Sequence, residues 1–199
     1  MSTDPDGVNA FSVFSADACI AQGSITEVAV AARHFLDTHP KAQVLILDDA
    51  TCRPVDLDLS GDLELVSRKA AHYPVSGQRS EAQAPSTREV SLLPRHWDWL
   101  TQQPGNPSAA LRRLIDEARR DPKTQTRDKQ RQAQQLTFQF CQALCGDLPD
   151  YEDAMRALYR QDQPGFEASV QQWPEDFANR ARVLAEPSWL GPQDPALEG

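Results

Sequence analysis

The chain has 199 residues, 40% hydrophobic and 25% charged, with a formal net charge of −9. That length allows one or two domains with at least one buried core, and the longest apolar run, Val44-Leu45-Ile46-Leu47, is far too short to cross a bilayer, so a membrane partner is not expected. The acidic balance argues against a general nucleic-acid binder, and the opening MSTDPDGVNA, acidic and without a charged-then-apolar leader, predicts a cytoplasmic protein.

Residues 1–72 predict a small α+β domain of order ββαββα. Residues 10–14 (AFSVF) alternate as a strand, Ala16-Asp17 turns, and residues 19–22 form a second strand. Ser24 followed by Glu27 is a capping-box pattern. It opens a helix whose apolar stripe is Ile25, Val28, Ala29, Ala32, Phe35 and Leu36 and which must end before Pro40. Residues 44–47 predict a buried strand, 48–51 a turn, and 54–59 a strand with Val55, Leu57 and Leu59 on one face. A short helix over 62–71 closes the domain.

Residues 73–87 (YPVSGQRSEAQAPST) lack periodic apolar residues and read as a linker. In residues 88–121 the alternation of Val90 and Leu92 predicts a short strand. Pro94 then starts a helix with Leu93, Trp97 and Leu100 on one face and His96, Trp99 and Gln103 on another. Pro104-Gly105 breaks it. Asn106 caps a second helix, with Pro107 in its first turn and the stripe Leu111, Leu114, Ile115, Ala118. The opposite face carries Arg112, Arg113, Asp116, Arg119 and Arg120. Residues 122–185 predict a helical C-terminal region: a long helix over 126–145, then short helices over 150–159, 165–172 and 175–185. The proline-rich residues 186–199 predict a disordered tail.

The charge is unevenly placed. Residues 1–78 hold 5 Lys/Arg and 11 Asp/Glu, residues 79–132 hold 11 and 7, and residues 133–199 hold 4 and 11, giving −6, +4 and −7. A basic centre between acidic flanks marks either a partner-binding surface or attraction between the segments themselves.

A strand followed by two helices cannot cover both faces of its own strand. Two copies pairing their strands antiparallel and interlocking their helices would solve this, as in the ribbon-helix-helix readers of DNA, which insert a two-stranded ribbon into the major groove. The sequence therefore predicts a homodimer with Val90 and Leu92 inward. Nucleic-acid contact would fall to Arg88, Ser91, Arg95, Asn106, Ser108, Arg112 and Arg113, with the Ser108 and Ala109 amides placed to hold a phosphate. Glu89, Ser91 and Leu93 would point outward; none is a cation, which argues against reading a particular base sequence. Homodimerisation ranks ahead of DNA contact, and a protein–protein interaction module without nucleic acid is the alternative.

The strings REVSLLPRHWDWL, SAALRRLIDEARR, VLILDDAT, VDLDL, GDLPDYEDAMRALYRQD and WPEDF resemble, over most of the chain, a bacterial family known as the domain of unknown function 2239 family. The resemblance implies no particular reaction. It does imply a basic, glycine- and proline-containing segment before the central strand. Here that segment reads QRSEAQAPST, where Glu81 offsets Arg79 and Arg88.

No string for catalysis, a cofactor or a metal stands out. His96 and Asp98 are two apart, on different helix faces, and cannot orient each other. Asp48-Asp49 reads as a solvated turn. Cys141 and Cys145 share a helix face among Phe138, Leu144 and Leu148 and read as buried packing. The expectation is a protein that is not an enzyme, with no cofactor.

Overall fold

The computed structural model describes residues 10–74 and 89–189. It is mixed α+β and falls into two compact units. The first combines the N-terminal α+β segment with residues 131–189; the second covers, among the described residues, 89–130.

In the first unit four antiparallel strands lie in the order β2-β1-β3-β4: β1 Phe11–Ser15, β2 Ala18–Gly23, β3 Leu45–Asp48 and β4 Arg53–Val55. Helix α1, Ile25–Thr38, begins as the sequence predicts. The Ser24 hydroxyl accepts the Glu27 N–H at 3.3 Å and the Glu27 carboxylate accepts the Ser24 N–H at 2.8 Å. Helix α2, Leu63–Ala71, is capped by Asp62, whose carboxylate accepts the Leu65 N–H at 2.8 Å. The ββαββα order is the expected one.

β4 is shorter than expected, ending at Val55 rather than Leu59. Its register pairs Val55 with Ile46, close to the beginning of β3, which leaves little strand to pair with beyond that point. Pro54 is tolerated because β4 is an edge. Leu57 and Leu59 still pack on the core from outside the sheet.

Strand alternation divides the core into two layers. Phe11, Val13 and Ile46 meet Val28, Ala29 and Ala32 of α1 and Val66 and Ala70 of α2. Phe14 and Leu47 face the other way, into the helices of residues 131–189. Those helices are α5 Pro122–Leu144 (its later part), α6 Tyr151–Arg160, α7 Gln163–Val170 and α8 Glu175–Ala185, followed by a 3-10 turn over Glu186–Trp189. Helices α3, Pro94–Thr101, and α4, Pro107–Arg120, belong to the second unit.

Three phenyl rings lock the second layer. Phe14 meets Phe140 at 5.9 Å and Phe177 at 5.8 Å, both edge-on, and Phe140 meets Phe177 at 6.4 Å. Polar contacts reinforce the same seam. Asp49, in the turn after β3, accepts from the Ser12 hydroxyl at 2.7 Å and pairs with Arg180 of α8 at 2.9 Å, while the Cys19 N–H donates to Asp176 at 2.8 Å. That turn ends on Cys52, buried with φ +51, a conformation that normally selects glycine or asparagine. Cys141 and Cys145 are buried in this layer as expected.

Candidate nucleic-acid interface

The second unit is a helical hairpin whose two turns were written into the sequence. Leu93 is extended at the N-cap of α3 and Pro94 takes the first helical position, where a missing N–H costs nothing. Gly105, at φ +88, carries the chain through the break. Asn106 then caps α4, its side chain accepting the Ala109 N–H at 2.8 Å, with Pro107 next. Asp121 separates α4 from α5; its carboxylate accepts from the Thr124 hydroxyl at 2.7 Å and N–H at 2.9 Å, and these bonds hold it below the usual carboxylate range.

Only Leu100 and Ala110 are fully buried apolar residues in this hairpin. Much of the apolar surface that the sequence patterned is open. Val90 is 63% exposed, Ile115 55%, Leu93 49%, Trp99 47% and Trp97 44%, with Leu114 also exposed. Residues 89–93 make no strand and no ladder with any described residue. The stripe Leu111, Leu114, Ile115, Ala118 exists as a face of α4 but, apart from half-buried Leu111, it is exposed.

The expected contact residues distribute as follows. Arg88 lies outside the described residues. Ser91, Arg95, Ser108, Arg112 and Arg113 are exposed, as are Arg119 and Arg120 in the last turn of α4, where a cation suits the negative end of the helix dipole. Arg113 lies 3.8 Å from Glu117, a solvated pair that contributes little. One part of the phosphate geometry needs correcting. The Ala109 amide is not open to a phosphate, because Asn106 already occupies it; of the pair expected to act together, Ser108 alone remains. The signal was present in the sequence, since a residue chosen as N-cap accepts the N–H two or three positions on.

The first unit holds a cleft of about 460 Å³ between β2 and α8 lined by Cys19, Gln22, Asp176, Asn179 and Arg180 over Phe14. Its cation is tied to Asp49, and burial, with Asp176 and Asp49 adding to it, pushes the Cys19 thiol up. Burial likewise pushes Cys52 up to about 11. Neither shift is in the direction that activates a thiol as a nucleophile. The described residues contain no cluster of three or more metal-ligating side chains and no helix long and apolar enough to cross a membrane.

A family model described as an uncharacterised protein conserved in bacteria, DUF2239, matches residues 10–185. No curated protein and no solved structure matches the chain.

Proposed function

The chain belongs to the bacterial family DUF2239, and from that premise we propose that it is a cytoplasmic, non-catalytic accessory protein. In this reading it pairs with a second copy of itself through residues 89–115 and holds nucleic-acid phosphates with the arginines of the same hairpin.

The observation that carries the reading is the mismatch between pattern and burial in the second unit. Two helices with strong apolar faces bury two apolar residues between them and leave Val90, Trp97 and Ile115 in water. A core that small does not hold a helical pair together on its own. An unladdered segment before the first helix, extended at Leu93, suits a second copy in particular, because two identical segments that pair about a twofold axis do so antiparallel. Arg95 of α3 and, on the face of α4 opposite its apolar stripe, Arg112 and Arg113 stay exposed and supply the positive charge.

Two measurements on the full chain test it. Molar mass in solution at micromolar concentration is expected at twice 22.1 kDa. Retardation of labelled DNA is expected at low salt and fades as salt rises, because phosphate contacts release counterions. A well-folded monomer overturns the pairing, and no retardation even at low salt overturns the nucleic-acid contact. A stoichiometric, nuclease-insensitive protein partner in place of retardation selects the interaction-module alternative.

A further inference from the structure

We propose that Trp99 is a base-stacking platform and that the hairpin takes single-stranded rather than duplex nucleic acid. The inference rests on the nucleic-acid reading above and narrows it.

The two exposed tryptophans of α3 are not equivalent. Trp97 stands four residues from Leu93 and three from Leu100, on the apolar face assigned to the second copy. Trp99 stands four residues from Arg95 and three from His96, with Gln102 and Gln103 following it, so a half-exposed indole sits in a polar, cationic setting. The tryptophans of the first unit are differently occupied: Trp173 is buried and donates its indole N–H to the Pro149 carbonyl at 2.7 Å, and Trp189 packs on Phe166 at 5.5 Å. An exposed aromatic plane flanked by arginine is the combination by which sequence-tolerant proteins hold unpaired bases, stacking the ring and neutralising the backbone.

Duplex reading lacks its tools here. The exposed side chains just before α3 are Glu89, Val90, Ser91 and Leu93, and none is a cation or a carboxamide. The amide oxygen of Asn106 is occupied by the Ala109 N–H, which removes the bidentate adenine contact an asparagine would otherwise make. Stacking needs no hydrogen-bond code, only an unpaired base, and a duplex does not offer one.

Titration of the full chain at low salt with an oligothymidylate, an oligouridylate and a duplex of matched length, followed by tryptophan emission and by retardation, decides it. The single strands are expected to quench emission and to bind at least about tenfold more tightly than the duplex. Trp99→Ala is expected to remove the quench and weaken single-strand binding by about tenfold to a hundredfold, the range for one stacked base. Trp99→Phe should retain most of the affinity. Duplex bound as tightly as single strand, with emission unchanged, overturns this inference while leaving the nucleic-acid reading standing. No binding of any of the three overturns both.

Discussion

The two units of this chain follow the same local rules and reach opposite outcomes. In the first, each patterned apolar face finds another: strands alternate between α1 and α2 on one side and the phenyl cluster of Phe14, Phe140 and Phe177 on the other. In the second, α3 and α4, amphipathic like the helices of the first, bury Leu100 and Ala110 and little else. Amphipathic pattern specifies that a face will be covered; it does not specify by what. Where the chain supplies the cover itself, the result is a core. Where the described residues leave a face open, that face is the place to look for function.

Truncation at the phenyl cluster should have the largest effect. Phe14 is 2% exposed and holds two edge-on ring contacts, so Phe14→Ala removes the link between β1 and both α5 and α8. Urea unfolding is expected to show a loss of about 3–5 kcal/mol, as for other buried phenylalanines. A loss below about 1 kcal/mol, the scale of an average substitution, would mean that the aromatic seam does not join sheet and helices into one cooperative unit.

How much of this was legible follows from the range of the interactions. The capping box at Ser24, the β3 run and the proline and glycine signals around α3 and α4 act within a few residues, and the elements they predict are present. The covering of the sheet's second face was not legible, because Phe14 and Phe177 announce their partnership through nothing in their own neighbourhoods. Nor was Cys52 at positive φ, since no glycine or asparagine marks it. In the candidate interface, the exposure of Arg95, Arg112 and Arg113 was legible from helix periodicity. The occupied Ala109 amide was missed by treating the cap and the phosphate site as independent, although one side chain links them.

A second break targets the open face. Ile115→Ala, at a residue 55% exposed in the single chain, should shift stability by no more than about 0.5 kcal/mol if that face stays in water. With a second copy seated on it, the same change truncates a buried side chain and should cost about 2 kcal/mol or more. The midpoint of wild-type thermal unfolding should also rise with protein concentration, as it does whenever the folded state associates. The expected outcome is the larger cost together with that concentration dependence. A concentration-independent midpoint returns Ile115 to an ordinary surface residue.

The smallest effect is the most discriminating, because one chemical change can be made in both units. Ser24→Ala and Asn106→Ala each remove the side-chain acceptor from a helix N-terminus, a loss of about 1 kcal/mol in either case. In α1 the cost falls on a helix fixed by Val28, Ala29 and Ala32, so it should lower global stability while α1 amides still exchange only by global opening. In α4 almost nothing among the described residues resists fraying, so Asn106→Ala should speed hydrogen exchange across α4 while α1 is untouched. Dilution toward the monomer should enlarge that difference if a second copy holds the hairpin. Equal protection of α4 and α1 amides in a dilute, monomeric sample would show that the hairpin is stable on two buried residues, and the open face would then need no partner at all.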